Sequence, residues 1–267
     1  DRGIGSSTGD LSKATSLDFA KDVEAGIHQL QSRKDVDQKR IGLIGHSEGG
    51  LIAAIVTSEN SSLDFIIMLA GPGLKGSELL SLQVEAIAES QGAGAETAAA
   101  LKRQRSVLMQ ALLSSSDSSI QMQEAWKSYL SWKANTNPAI VSALGLSDET
   151  ISRNQLQEQL HQMNNPWMIY FLQTDPAIFI SKLHCKVLAL NGSRDIQVAP
   201  DQNLAAINIA LKKSSAKIYS TEKIPGLNHL FQHCKTCTVQ EYGQLEETFA
   251  PEALQIMGDW LHKNVPY

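Results

Sequence analysis

The sequence predicts an α/β fold, a parallel sheet covered on both faces and interrupted by a helical insertion, and three observations carry that prediction. Short, branched, apolar runs alternate with helix-length segments at both ends of the chain. One of these runs passes through a Gly-x-Ser-x-Gly turn straight into an apolar helix. Between them lie roughly a hundred residues rich in Gln, Ser and Ala, with no strand-like run, far more than adjacent strands need as a connection.

Each element follows from its local pattern. Residues 1–10 form a glycine- and serine-rich loop. A helix is expected from Ser16, which can cap it, because Phe19 or Ala20, Val23, Ile27 and Leu30 recur at spacings of three and four. After a polar turn at 35–39 comes a strand at 40–44, whose Ile41, Leu43 and Ile44 suit a central, buried position. At the turn, Gly45 and Gly49 are expected to remove Cβ atoms that would collide as the strand reverses, leaving Ser47 at the apex with its hydroxyl clear of the sheet. The helix that follows is apolar nearly all round at 51–56. A second buried strand at 64–70 is stopped by Gly71-Pro72-Gly73.

Helices are then expected at 77–89, 95–114, 119–133 and 154–163, with another starting at Asn165-Pro166-Trp167. Alternation resumes with a strand at 186–191, a helix at 201–212 capped by Asp201, and a strand at 216–219. A closing helix at 251–263 places Leu254, Met257, Trp260 and Leu261 on its inner face. The organisation expected is therefore a core in two parts, 1–73 and 177–267, with a helical cap insertion at 74–176 lying over a site.

Composition narrows the function. At 267 residues and 42% hydrophobic, the chain can bury a full core. Its 28 acidic and 23 basic residues give a net charge of -5 with no basic field, which speaks against a nucleic-acid partner. No apolar stretch approaches the roughly 20 residues of a membrane span, and none resembles a signal peptide, so the compartment is left open. Cys185 opens an apolar strand as a small core residue. Cys234 and Cys237 form a C-x-x-C beside His233; a zinc site needs about four ligands and no second pair is visible, leaving a loop disulfide or two free thiols.

A serine hydroxyl needs a base to take its proton and a carboxylate to orient that base. In open parallel sheets, functional groups gather beyond the carboxyl ends of the strands. Asp195 follows a strand at once, and His229 lies in the loop after the next, giving the chain order Ser47, Asp195, His229 expected after a strand–turn–helix nucleophile. The rivals are Asp201 and His233. His46 is expected to pack beside the nucleophile without taking its proton. The backbone N–H of Glu48, in the first turn of the helix, points where an oxyanion would form. Trp126, Tyr129, Trp132, Trp167, Tyr170 and Phe171 are candidates to line an acyl pocket.

At residues 1–7, 42–50, 69–73, 187–195 and 228–232, the chain resembles the α/β-hydrolase superfamily. It resembles more closely bacterial carboxylesterases related to dienelactone hydrolases and to prolyl-oligopeptidase-like catalytic domains. The resemblance implies Ser47 as nucleophile, His229 as base and Asp195 as its partner. It further implies hydrolysis of a small-molecule ester through an acyl-enzyme, with no metal or cofactor. It also implies that the first strands of the sheet and a second oxyanion donor precede Asp1, in an upstream segment or a partner chain, and that without them the elbow strand loses a neighbour and exposes an edge. Peptidase and thioesterase activities share the same triad, and a catalytically silent binding protein is the reading from another class.

Overall fold

The computed structural model describes residues 2–265, so Asp1 of the first matching stretch lies outside the described residues. Four parallel strands, β1 (Gly42–His46), β2 (Phe65–Leu69), β3 (Lys186–Gly192) and β4 (Tyr219–Ile224), lie side by side in chain order. Helix α1 (Ser16–Gln31) precedes the sheet, and α2 (Glu48–Glu59) leaves β1 through Ser47. The long middle segment contributes α3 (Gly76–Ser90), α4 (Ala95–Leu113), α5 (Ser118–Ala134), α6 (Pro138–Ala143), α7 (Glu149–Met163) and α8 (Pro166–Gln173). A short α9 (Ala177–Ile180) returns the chain to β3; α10 (Pro200–Leu211) joins β3 to β4, and α11 (Pro251–Asn264) follows.

Strand periodicity explains the two faces. Ile66, Met68, Val187 and Ala189 point into one apolar cluster with Ala54 of α2 and Ile207 and Leu211 of α10. Ile67, Leu69, Leu188 and Leu190 point the other way, onto Ala253 and Met257 of α11. Ile66, Ile67 and Met68 are wholly buried, each contributing about 1.5–3 kcal/mol of transfer free energy. Helices α4 to α8 surround a separate core built on Leu108, Leu112, Tyr129, Leu156 and Leu160. That segment connects β2 to β3, which are hydrogen-bonded neighbours, so its length serves its own packing.

Several expectations change in detail. Among the described residues strand β1 pairs with β2 alone, and Ile44, expected to be buried, is 57% exposed on the free edge. Strand β4 begins where the expected 216–219 strand ends; its alternating pattern of part-buried and exposed residues is that of the other edge. Thr15, not Ser16, caps α1, its amide and hydroxyl both bonded to Asp18, while Ser16 turns inward and is fully buried. Ala199 precedes α10, leaving Asp201 in the first turn, paired with Lys223 at 2.6 Å. On α11 the inner face is Ala253 and Met257 with Trp260 and Leu261 packed against the same cluster, as expected, but Leu254 is 54% exposed. Helices α6 and α9 were not foreseen, being too short to show a period.

Candidate active site

Ser47 stands between β1 and α2 with φ 54° and ψ -123°, a backbone that non-glycine residues adopt at a cost of about 1–3 kcal/mol. Its amide still donates to Leu69 O at 2.8 Å, so β1 remains anchored to β2 up to the turn. A Cβ on Gly45 would collide with the carbonyl of Gly49, which explains Gly45. Gly49 differs from expectation, because a Cβ there would meet nothing; the close approach lies between Gly50 and Gly71, where a Cβ on Gly50 would sit 3.0 Å from the Gly71 Cα. The amide of Glu48, in the first turn of α2, is a helix-start donor with no intrahelical partner, set beside Ser47.

The loops after β3 and β4 bring Asp195 and His229 together. His229 Nδ1 lies 2.8 Å from Asp195 Oδ2, and both side chains are buried. An ionised carboxylate only accepts, so Nδ1 carries the proton and Nε2 is left as the basic nitrogen. Asp195 Oδ1 accepts from the amides of Gln197 and Val198 at 2.8 and 2.9 Å, which fixes the carboxylate without a counter-cation. Glycine is required at 192 because a Cβ there would strike the Leu227 carbonyl, on the approach to His229. The His229 loop is closed on itself: Asn228 Oδ1 accepts from the amides of Leu230 and Gln232, and wholly buried Phe231, at φ 59°, nails the loop to the core.

His46 Nε2 donates to the His229 carbonyl at 2.8 Å, and the two imidazole rings lie 4.7 Å apart. Partial desolvation of the ring pushes the His46 pKa below 6.5, against the opposing pull of the His229 carbonyl, although the residue keeps an exposed surface, so near neutral pH His46 is an uncharged donor to the histidine loop. Ser47 thus neighbours His229 through His46, although no hydrogen bond joins Ser47 to His229 among the described residues. Such contacts commonly tighten only when substrate binds. His233 is turned away, between Glu247 and Glu252.

Three features were not foreseen. The Glu48 side chain accepts from Ser16 at 2.6 Å and from the Trp167 indole at 2.8 Å, tying α1, α2 and α8 together beside the serine. Gln197 donates to Tyr242, whose hydroxyl pKa burial raises, behind Asp195. Arg105 of α4 lines the same cavity as Ser47. A serine followed by a glutamate gives no sequence signal for a tie across 119 residues. Of the aromatic candidates, Trp167 and Phe171 line that cavity, of about 430 Å³, whereas Tyr129 and Trp132 are buried in the helical core with Trp126 packed against them. Tyr170 borders a separate depression. On its other side Ser47 opens to a groove along β1 of about 1030 Å³, lined by Arg2, Phe19, Ile44 and Ile52. Cys234 and Cys237 are joined as a disulfide, and Cys185 is buried, its thiol pushed up to about 12 by burial. Among the described residues no helix is long and apolar enough to cross a membrane, and no cluster of three metal-ligating side chains occurs.

Residues 22–143 match the family described as BAAT / acyl-CoA thioester hydrolase C terminal. No curated protein matches the chain. The alpha/beta hydrolase GrgF from Penicillium sp. sh18 is 13% identical with a TM-score of 0.51, and the likeness covers all of this chain and 78% of GrgF. DcsB, solved with its substrate analogue, is 16% identical with a TM-score of 0.51, over all of this chain and 79% of DcsB. The acylaminoacyl peptidase of Pyrococcus horikoshii is 12% identical with a TM-score of 0.47; 95% of this chain is covered but only 29% of the peptidase. A parallel sheet flanked by helices, with a serine at its strand-to-helix turn, and the likeness to DcsB and GrgF show that the chain has the α/β-hydrolase fold.

Proposed function

We propose that the protein is a serine hydrolase that cleaves carboxylic esters through an acyl-enzyme on Ser47. The observation that carries the reading is the buried Asp195–His229 hydrogen bond at 2.8 Å, held on the side of the sheet where Ser47 emerges. In this mechanism His229 Nε2 takes the Ser47 proton as the oxygen attacks the ester carbonyl. The amide of Glu48 binds the developing oxyanion, aided by the positive end of α2. His229 then gives its proton to the leaving alcohol, and water repeats the sequence to release the acid. Asp195 holds the tautomer and stabilises the imidazolium. Helices α3 to α8 act as a cap, closing the cavity above Ser47 and leaving the groove along β1 open.

A second reading, thioester hydrolysis, is favoured by the family match at residues 22–143 and would use the same groups on a better leaving group. A panel of matched ester, thioester and amide substrates separates the two by kcat/KM. In either case Ser47→Ala is expected to lower kcat by about 10³-fold or more and to abolish labelling by a fluorophosphonate. Wild-type turnover by Ser47→Ala would end both readings. A folded protein whose Ser47 ignores the probe would favour a silent binding role.

A further inference from the structure

The cavity beneath α8 is walled mostly by apolar side chains, among them Leu79, Val84, Met163, Trp167 and Phe171. Two ionisable groups reach it, Glu48 and Arg105. The Glu48 carboxylate already accepts from Ser16 and Trp167. Arg105 is different: its one hydrogen bond among the described residues is from Nη1 to the thioether of Met163 at 3.1 Å, a weak acceptor, and no carboxylate there pairs with it. Elsewhere on α4 the neighbouring cation Lys102 does have its carboxylate, Glu85 at 2.7 Å. The Arg105 guanidinium is partly withdrawn from water without a counter-ion, and this desolvation weakens its hold on the proton, although a guanidinium stays charged in proteins. Such a group gains most when an anion arrives in a fork it can bind with two N–H donors.

We propose that Arg105 is a specificity-determining residue that receives a carboxylate on the part of the substrate occupying this cavity. The preferred substrates are then esters with a short apolar stem ending in a carboxylate, such as the monoesters of dicarboxylic acids. This rests on the assignment of Ser47 as nucleophile. The apolar walls match the stem and Arg105 matches the end, while the Glu48 carboxylate is held through Oε1 by Ser16 and Trp167.

The test compares charged and neutral esters of equal length on wild type, Arg105→Gln and Arg105→Lys. An acyl arm sets para-nitrophenyl monoesters of succinic, glutaric and adipic acids against the butyric, pentanoic and hexanoic esters. An alcohol arm sets butyrate esters of glycolic and hydroxypropionic acids against ethyl and propyl butyrate. In one arm wild type is expected to favour the carboxylate by on the order of 10- to 100-fold in kcat/KM. Arg105→Gln is expected to erase that preference while changing the neutral esters by less than about threefold, and Arg105→Lys to retain part of it. No preference in either arm, or an equal loss on charged and neutral esters, overturns the assignment and makes Arg105 a packing residue. A phosphonate-ended ester preferred to its carboxylate counterpart overturns the choice of carboxylate. Titration calorimetry with the para-nitroanilides of adipic and hexanoic acids reads the same contact without turnover. If no ester turns over and Ser47 is not labelled, the hydrolase reading falls; tighter binding of the adipic anilide by wild type than by Arg105→Gln still supports the anion site, and equal binding overturns it.

Discussion

Two histidines four residues apart each face a carboxylate, and they differ in everything except that pairing. His229 and Asp195 are buried, their side chains 6% and 0% exposed, and Asp195 is held by two backbone amides. His233 and Glu247 are 57% and 29% exposed, and His233 also reaches Glu252. A screened pair at the surface contributes little and leaves its imidazole free to turn. A buried pair whose acid is fixed by the backbone imposes one tautomer and one ring orientation. The proposed chemistry therefore rests on enclosure rather than on the histidine–acid motif itself.

The sharpest break of that comparison is to remove the charge from each acid. Asp195→Asn is expected to lower kcat by about ten-thousand-fold, because an amide can hold the wrong tautomer while the fold survives. Glu247→Gln is expected to stay within about threefold of wild type, as the partner of a mostly exposed histidine should. Initial rates on one para-nitrophenyl ester, with the melting temperature as a control for folding, decide it. Equal losses in the two variants would mean that the His229 loop responds to any disturbance and that the buried pair has no special role.

Next in size is the disulfide, which lies on the His233 side of the loop. Cys234 and Cys237 are separated by three positions and close a small ring. The double substitution Cys234→Ser/Cys237→Ser is expected to cost about 2 kcal/mol of stability from the freed unfolded chain. For a domain of this size that is a fall of roughly 4 °C in melting temperature. Turnover per folded molecule should hold within about threefold, since the loop carrying His229 is fixed by Asn228 and Phe231. A large loss of kcat with little change in melting would transfer the bridge from scaffold to active site.

Why was the buried pair legible in the sequence and its surroundings not? Ser47, Asp195 and His229 each follow a strand end, and short apolar runs mark parallel strands without ambiguity of face. The sheet neighbours and the helical segment could be read for the same reason. Edge position could not be read from the run itself, because Ile44 is as apolar as a buried residue; the exposed edge of β1 is expected only through the resemblance. Nor could the role of Glu48, whose partners Ser16 and Trp167 are brought to it only by packing. Arg105 sits on a helix whose polar pattern looks solvated, and only the fold reveals that it lines a cavity with Ser47. Local periodicity specifies elements; contacts across long stretches of chain emerge from the assembled core.

The smallest expected effect concerns Glu241, which anchors the outer half of the same loop. Its carboxylate accepts from the amides of Lys235, Thr236 and Cys237 at 2.9, 2.9 and 2.6 Å, and from the Thr236 hydroxyl at 2.8 Å. These donors, the Lys235 amide foremost, hold its pKa below 4.5. The unfolded chain therefore binds the proton more readily than the folded one. The stabilisation is complete above the unfolded value and is lost as pH falls through the folded value. In Glu241→Gln that contribution disappears, so stability measured by urea unfolding should fall less steeply on acidification below about 4.5 than in wild type. Turnover near neutral pH should be unaffected, because the amides it holds belong to residues 235–237, beyond the Asn228 and Phe231 contacts that fix His229. If the acid limb is unchanged, the carboxylate holds no differential charge and the outer loop is fixed by the disulfide alone. If neutral turnover drops with it, the enclosure that sets His229 apart from His233 extends further along the loop than the Asn228 and Phe231 contacts.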